Sequence, residues 1–400
     1  MQTGLTLNSW EFLLLSLFAI TIFRISRTRV EREGFLVLFN VYFLYHFLQD
    51  INSILTLIAI LGLTYGLGRY RKNLGIGQTS LVSAIVIIGL WGILFLIKDP
   101  NLLAPINFFS FLDIRIIGIS YIVFRCISFV IEIQPRTQVT FLGFVSYVTF
   151  FPTILAGPIE RFSVFNTQLI EPKSRDEVDV GACLHRICNG MIKKFVLADN
   201  LSIFGIHAMQ QTPDNFAVGL LWLGALSQLF LIYLDFSGYC DIVIGISRLM
   251  GIRIRENFNS PFIAKNIQEF WERWHISLSS FVKDYVFSPM IKVIFKLPAT
   301  VQPTLVMASY FFTMILIALW HGTTVGFLVF GLVHGAALLF IQVKQKYVRN
   351  LSLFSNVKAT RISINILSPV LTYSFVSLSL ALWITSSDQW QDLFNRMFGI

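Results

Sequence analysis

Charged residues are scarce in this sequence. Asp, Glu, Lys and Arg make up 13% of its 400 residues, whereas soluble globular domains carry about 25%. The hydrophobic fraction is 55%, and the mean hydropathy is +0.69. So few charges cannot cover the water-facing surface of a chain this long, which excludes a soluble enzyme and an intrinsically disordered protein. The composition therefore predicts an integral membrane protein.

Cysteine is also rare, and several catalytic motifs are absent. The sequence has no P-loop, no GxGxxG motif opening a helix, no HExxH and no GxSxG. These absences disfavour an ATP-driven pump, a dinucleotide enzyme, a zinc protease and a serine hydrolase. The cysteines form neither a CxxC pair nor a zinc spacing and are predicted to be inert packing residues. They are Cys126, Cys183, Cys188 and Cys240.

Long apolar runs are the main feature that the sequence does have. About 20 apolar residues cross the roughly 30 Å of hydrocarbon in a bilayer. Ten candidate runs lie near residues 10–23, 35–49, 52–68, 79–97, 114–133, 139–157, 217–236, 304–320, 325–343 and 363–384. Charged apolar stretches at 185–207, 238–250 and 276–297 predict interfacial or re-entrant helices. The fold class is thus an all-α polytopic membrane protein, predicted as one domain over residues 1–400 because no linker divides it.

The basic residues predict the orientation of these spans. The first run has no Lys or Arg before it and is followed by Arg24, Arg27, Arg29 and Arg32. This places the N-terminus outside and the following loop in the cytoplasm, and it favours a retained span over a cleaved signal peptide. The net charge of +9 lies in short loops of this kind and not on one face of a domain. Nucleic-acid binding is therefore not expected.

The densest polar cluster extends from Tyr233 to Tyr285. Ionisable side chains are costly at membrane depth, so these groups are expected to face protein or water. In the motif FWERWHISLS, helical spacing predicts that Glu272, His275 and Ser279 share one face, with Trp271 and Trp274 flanking it. A functional site is one interpretation. An amphipathic helix with its tryptophans at the headgroup level is the other.

A second candidate is His321, which ends an apolar span and is followed by Gly322. Glycine there is expected to end the helix and to let another group approach closely. Histidine can take and return a proton near neutral pH, although this one could equally bond a neighbouring carbonyl. His334 lies 13 residues later, about 220° around a helix. It is predicted to pack structurally against another helix beside Gly331 and Gly335.

Seven sequence blocks, in order, resemble the membrane-bound O-acyltransferase (MBOAT) family, in its bacterial branch that modifies cell-envelope polymers. They are GISYIVFRCISFVIEI from Gly118, FFPTILAGPIERF from Phe150, MIKKFVLADNLS from Met191, YLDFSGYCDIVIGIS from Tyr233, RENFNSPF from Arg255, EFWERWHISLSSFVKDYVF from Glu269 and ALWHG from Ala318. The resemblance implies helices around a central tunnel. It divides the domain into N-terminal helices 1–110, a family core 111–345, and a C-terminal loop and helix 346–400.

The resemblance also implies an acyltransferase that moves an acyl group from a cytoplasmic thioester to hydroxyls of an extracytoplasmic polymer. D-alanyl transfer of the teichoic-acid type is favoured, because the chain is short and KDY is followed by VFSPMIKVIFK. Against this, RENFNSPF and LDFSGYCD look as much like the O-acetyltransferases of alginate-like polysaccharide or peptidoglycan. A non-catalytic transporter or flippase that relays protons, or a scaffold, is the alternative from another class.

Site roles follow from the same resemblance. His275 and His321 correspond to the two motif histidines, with His321 as the general base on the acceptor hydroxyl. His275 would orient the acceptor or donate a hydrogen bond to the developing oxyanion. The residues predicted to bind substrate are Trp271, Trp274, Ser279 and Gly322, the last by leaving room for the thioester.

No bound cofactor or metal is expected, since the thioester co-substrate is already activated. The implied partners are an acyl carrier protein or other thioester donor on the cytoplasmic side, an extracytoplasmic helper protein, and membrane lipid. Arg273 and Lys283 could meet an acidic carrier. The expected location is the cytoplasmic (inner) membrane, as a multi-pass protein.

Overall fold

The computed structural model describes residues 7, 9–48, 50–74, 76–98, 118–171, 177–205, 218–348, 358–384, 395 and 397. All regular structure in these ranges is helical, with no strand among them, which confirms the all-α prediction. The chain clusters into two compact units. The first contains residues 1–191 and 239–255, and the second contains residues 192–238 and 256–400. The predicted family core 111–345 contributes to both.

Among its described residues, the first unit contains eight helices and part of a ninth. They are α1 Trp10–Ile25, α2 Arg29–Tyr45, α3 Ile51–Lys72, α4 Ile76–Lys98, α5 Ile119–Glu132, α6 Phe141–Val148, α7 Phe162–Ile170 and α8 Val180–Met191, with a 3-10 turn at Phe151–Thr153. Side-chain caps fix several starts: Asp50 accepts a hydrogen bond from Ser53 N at 2.7 Å, and Thr28 with Glu31 forms a capping box. These caps satisfy backbone donors that the first helical turn leaves unpaired.

The second unit begins with a π-helical stretch, Ile192–Ala198, and two short turns, Asp199–Leu201 and Ser202–Phe204. Helix α9, Val218–Met250, passes from this unit into the first. The remaining elements are a 3-10 turn Pro261–Ile263, α10 Ile267–Arg273, α11 Ile276–Val282, a π-helical stretch Lys283–Phe287, α12 Ser288–Ile294, α13 Gln302–His321, α14 Val325–Val348 and α15 Lys358–Ile384.

Five helices among the described residues are long and apolar enough to cross a membrane. They are Ile51–Lys72, Leu81–Lys98, Val218–Met250, Gln302–His321 and Val325–Gln345, and they coincide with five of the ten predicted runs. The runs at 10–23 and 35–49 form α1 and α2, which have only 16 and 17 residues. The run at 139–157 breaks into α6 and a 3-10 turn, and part of the run at 114–133 lies outside the described residues.

The predicted boundary between the run 217–236 and the stretch 238–250 is wrong, because α9 is continuous for 33 residues. The acidic residues that lowered the hydropathy there have cationic partners. Lys194 pairs with Asp235 in the second unit, and Arg186 Nη2 lies 2.9 Å from Asp241 Oδ1 in the first. Asp235 is exposed and Asp241 is paired, so the continuous helix buries neither carboxylate as an unpaired charge.

The core of the first unit contains a fully buried arginine. Arg125 on α5 is 1% exposed, and its guanidinium donates to the carbonyl of Val148 and to that of Thr153, both at 3.0 Å. Val148 is the last residue of α6, and Thr153 is the last residue of the 3-10 turn. The Thr153 carbonyl also accepts from Gly157 N at 3.1 Å. Arg125 therefore fixes the bend between these elements against α5.

The cysteines follow the packing prediction with one exception. Cys126, Cys183 and Cys240 are buried and free, as expected for packing residues. Cys188 is exposed, so the prediction that it is a packing residue is wrong. Its position on α8 turns it away from the unit's interior, a fact that composition alone does not reveal.

In the second unit, α13 and α14 pack closely through glycines. A Cβ at Gly331 would lie 2.9 Å from the Cα of Ile315, and one at Gly335 would lie 2.9 Å from Cδ1 of Phe311. Small residues at these positions let the helix backbones approach each other. His334 is 0% exposed and contacts Trp271 of α10 and Phe375 and Ser379 of α15, which confirms that it packs against other helices, whereas the two glycines face α13.

Candidate active site

The FWERWHISLS motif does not form the single helix that its spacing predicted. Helix α10 ends at Arg273, and His275 adopts a left-handed conformation with φ 43° and ψ 50° before α11 begins at Ile276. Glu272 and His275 therefore do not share a helical face. His275 and Ser279 remain one turn apart, with Ser279 N bonded to the His275 carbonyl at 3.0 Å.

Asn257 supplies the physical reason for this break. Its carbonyl accepts from Ile276 N at 2.9 Å, and its side-chain oxygen accepts from Ser277 N at 3.1 Å and from Ser277 Oγ at 2.8 Å. These bonds cap the start of α11 from a distant loop. They offset the roughly 1–2 kcal/mol that a left-handed non-glycine residue costs.

The same side chain fixes the tautomer of His275. His275 Nδ1 lies 3.2 Å from Asn257 Oδ1, and this atom must be the oxygen because a backbone N–H donates to it. Nδ1 therefore carries the proton, and Nε2 presents a lone pair. Nε2 is buried and has no hydrogen-bond partner within the described part of the chain.

Burial keeps the His275 ring neutral. The residue is 3% exposed, and its ring centroid lies 4.8 Å from that of Phe236 and 6.0 Å from that of Trp320. Desolvation in these surroundings lowers the pKa of His275 to about 3. His275 lies between the candidate spans that end at Met250 and begin at Gln302.

His321 is the last residue of α13, and Gly322 ends the helix as expected. The half-buried His321 ring lies 4.4 Å from the Trp320 ring and is parallel to the Phe327 ring at 6.3 Å. A Cβ at Gly322 would lie 2.2 Å from Phe327 Cε2. The space beside Gly322, which was expected to leave room for a thioester, therefore accommodates an aromatic side chain.

The structure brings the two motif histidines to one small cavity. Its volume is about 60 Å³, and its walls include His275, His321, Trp271 and Trp274. The other walls are aliphatic or phenyl side chains. Trp274 itself is stacked on Phe270 with ring centroids 5.4 Å apart. A largely apolar enclosure strengthens any electrostatic interaction made inside it.

A second, larger cavity in the same unit has a volume of about 480 Å³ and a partly polar wall. Gln342 Nε2 donates to Gln268 Oε1 at 2.9 Å, and Gln268 Nε2 donates to Glu272 Oε1 at 3.1 Å. Ser279 and Lys283 line this cavity and not the one that holds the histidines. Trp271 lines both.

Arg273 and Lys283 were both expected to meet an acidic carrier, but they differ in their surroundings. The Arg273 guanidinium lies 2.9 Å from Glu269 Oε1 and donates to the Asn259 carbonyl at 3.1 Å. Its charge is thus partly neutralised within α10. The Lys283 side chain lies on the wall of the larger cavity. Of the two, Lys283 is the better placed to meet an anionic group there.

A hydrogen-bonded chain links Trp271 to α14 and α15. Trp271 Nε1 donates to His334 Nδ1 at 3.2 Å, because an indole nitrogen can only donate. His334 must then carry its proton on Nε2, which donates to Ser379 Oγ at 2.8 Å. Ser379 Oγ donates in turn to the Val376 carbonyl at 2.7 Å. Every polar atom of this buried chain has a partner of the correct type.

The sequence did not indicate a role for Asn257, nor the contact between Trp271 and His334. Asn257 lies within the block RENFNSPF, which carried the family resemblance without indicating a role for any one residue. The bond between Trp271 and His334 joins positions 63 residues apart. No local pattern could reveal it. In the described ranges, no group of three or more His, Cys, Asp or Glu side chains lies close enough to hold a metal ion.

Comparison with known proteins identifies the family. The family profile described as MBOAT, membrane-bound O-acyltransferase family, matches residues 14–385. The chain therefore belongs to the membrane-bound O-acyltransferase family.

Curated relatives fall into three groups by name. The "Probable alginate O-acetylase AlgI" of Pseudomonas syringae pv. tomato is 34% identical over 71% of this chain and 51% of the relative. The "Teichoic acid D-alanyltransferase" of Bacillus subtilis is 30% identical over 68% of each chain. The "Peptidoglycan O-acetyltransferase" of Helicobacter pylori is 35% identical over 50% of this chain and 37% of the relative. The chain spans about half the length of the alginate O-acetylases that it matches.

Proposed function

We propose that this membrane protein is an O-acyltransferase that moves a short acyl group from a thioester to hydroxyls of a cell-envelope polymer. The observation that carries the proposal is the small cavity walled by both His275 and His321. Two histidines beside one enclosed, largely apolar space can position a hydroxyl and move its proton. The relatives named as O-acetyltransferases and D-alanyltransferases support the same chemistry.

His321 acts as the general base in this proposal. It accepts the proton of the acceptor hydroxyl while the oxygen attacks the thioester carbonyl carbon. The C–S bond then breaks, and the thiolate recovers the proton from His321, leaving an ester and a free thiol. The half-buried position of His321 at the end of α13 leaves its ring more accessible than that of His275.

His275 orients the acceptor by accepting, at Nε2, a hydrogen bond from a second hydroxyl of the polymer, because the one proton of the reacting hydroxyl goes to His321. The Nδ1 proton is engaged by Asn257, so the neutral ring has no free N–H to offer an oxyanion. Its pKa, lowered to about 3 by burial, makes it a weak base. Both points favour orientation over oxyanion stabilisation, the other role that the family resemblance allowed.

The larger cavity is proposed to admit the thioester donor from the cytoplasmic side. Lys283 on its wall would attract an acidic carrier protein, whereas Arg273 is held by Glu269. Lys283→Glu should therefore weaken carrier binding more than Arg273→Glu does. Carrier binding by the wild type should also depend more steeply on salt concentration than binding by Lys283→Glu. Equal affinities for wild type and Lys283→Glu would contradict this contact.

We propose that the acyl group is D-alanyl. The match to a D-alanyltransferase covers 68% of this chain and 68% of the relative, so the two chains are similar in length. Acetyl transfer is the second candidate, favoured by the 34% identity to an alginate O-acetylase. We also propose the cytoplasmic membrane as the location, and an extracytoplasmic helper protein that presents the acceptor.

The decisive experiment compares envelope esters from strains with the wild-type chain and with His321→Ala, at matched protein levels. Esters released by mild alkali are identified by mass spectrometry. A fall in D-alanine or in acetate assigns the acyl group. His185→Ala is the control, because His185 is exposed and bonds only the neighbouring Asn189 among the contacts seen. Unchanged esters in His321→Ala would refute the proposed function and favour a transporter or scaffold.

A further inference from the structure

Trp271 has an unusual position, because its side chain is part of the wall of both cavities. One holds the motif histidines and measures about 60 Å³, and the other measures about 480 Å³. A cavity must have a volume of roughly 10–15 Å³, measured in the same way, to hold a single water. The histidine cavity therefore accommodates only a few non-hydrogen atoms, whereas the neighbouring cavity has room for many more.

The indole is held in this place from one side by His334. The Trp271 Nε1–H bond to His334 Nδ1 is the only polar bond that an indole can make. His334 is fixed in turn by Ser379 and by packing against Phe330 and Phe375, with ring centroids 4.1 and 5.4 Å away. Since His334 is completely buried, this bond is not exchanged with water.

We propose that His334 is a positioning residue that holds the Trp271 indole at the junction of the two cavities, where the indole limits the length of the acyl group. This inference rests on the proposed function. With the indole in place, the space of about 60 Å³ beside His275 and His321 accepts only a short acyl group. With the indole removed or released, that space is continuous with the larger cavity and accepts longer groups.

The first test reads selectivity. Membrane vesicles that contain the full chain are given acetyl and hexanoyl thioesters of pantetheine, and the release of free thiol is measured. The wild type should prefer acetyl, since each methylene that a cavity rejects is worth about tenfold or more. Trp271→Ala and His334→Leu should each reduce that preference about tenfold or more. His334→Gln keeps an acceptor for the indole and should retain the wild-type ratio.

The second test measures the environment of the Trp271 indole by fluorine NMR and does not require enzyme turnover. The chain contains 8 tryptophans, so 5-fluorotryptophan labelling gives a small set of fluorine resonances. The resonance missing from Trp271→Phe belongs to Trp271. His334→Leu should move it by more than its line width, whereas His334→Gln and the surface control His185→Leu should not.

The outcomes separate this inference from the proposed function. If His321→Ala lowers thiol release but His334→Leu keeps the acetyl preference, the proposed function stands and the role of His334 is refuted. If His321→Ala and the wild type release thiol equally, the proposed function fails. In that case a Trp271 resonance unmoved by His334→Leu would also refute the positioning of the indole, and a moved one would support it.

Discussion

At the residue scale, Asn257 is the side chain on which the site depends. One amide oxygen serves His275 Nδ1, Ser277 N and Ser277 Oγ. It therefore sets the backbone break, the start of α11 and the tautomer of a motif histidine together. A single acceptor with three buried donors has an effect far larger than that of one hydrogen bond.

Asn257→Ala should lower the free energy of unfolding by roughly 2–5 kcal/mol, because each buried donor left unpaired costs about 1–3 kcal/mol. It should also reduce acyl transfer, since His275 loses its orientation. Thermal unfolding in detergent and ester release measure the two effects. Asn259→Ala, at an exposed position two residues later, is the matched control. An unfolding temperature equal to that of the wild type would contradict the capping role.

The pKa of His275 predicts an acid-sensitive contribution to stability. In the unfolded chain the ring binds a proton near its ordinary pKa of 6.5, but in the folded state it does so only near pH 3. The contribution of His275 to the free energy of unfolding is fully present above about pH 6.5 and is lost as the pH falls towards 3. Between pH 7.5 and pH 5 the wild type should lose about 2 kcal/mol through this group.

His275→Gln isolates that contribution, because glutamine does not titrate. The difference between the unfolding curves of the wild type and of His275→Gln, recorded at pH 7.5 and at pH 5, gives its size. If both proteins lose the same stability on acidification, His275 does not carry the effect.

At the element scale, the close approach of α13 and α14 decides where His321 and His334 lie. A Cβ added at Gly331 would lie 2.9 Å from Ile315 Cα and 3.0 Å from the Met314 carbonyl oxygen. Both are backbone atoms, which cannot move away as a flexible side chain can. The glycines therefore set the distance between the two helices.

Gly331→Ala should lower stability by about 1–3 kcal/mol through overpacking, even though alanine favours a helix. Gly219→Ala is the control within the same unit, because a Cβ there meets nothing within 4 Å. That control should be neutral or should stabilise by up to about 1 kcal/mol. Thermal unfolding of both variants measures the contrast, and a Gly331→Ala protein as stable as the control would refute the packing argument.

At the scale of the whole molecule, membrane orientation follows from the distribution of basic residues. Arg24 lies in the last turn of α1, Arg27 lies in the loop that follows, and Arg29 begins α2. The positive-inside rule predicts that this loop faces the cytoplasm. The Arg24 side chain also donates to the Leu249 carbonyl at 2.7 Å, which connects the end of α1 to the end of α9 within the first unit.

Arg27→Cys should be protected from a membrane-impermeant maleimide in intact cells and labelled after permeabilisation. The experiment requires a Cys188→Ser background, because Cys188 is the exposed one of the four cysteines. Labelling of Arg27→Cys in intact cells would reverse the predicted orientation. The unmodified Cys188→Ser chain provides the blank.

Composition by itself determined that this is an all-helical membrane protein, because apolar content and helix-length runs depend on no distant contact. Motif blocks determined the family and indicated His275 and His321, since local sequence carries that information. Local glycine chemistry also predicted that the helix ends at Gly322, and small-residue spacing predicted that His334 packs against another helix.

Only the tertiary structure decided how these residues meet. Helical spacing predicted one continuous helix through His275, but the distant Asn257 overrides it by capping α11. Charge predicted a break in α9, but the helix is continuous, with Asp235 exposed and Asp241 paired with Arg186. The shared cavity and the bond between Trp271 and His334 join segments 46 and 63 residues apart in the chain. Such contacts depend on packing in three dimensions, which local periodicity does not encode.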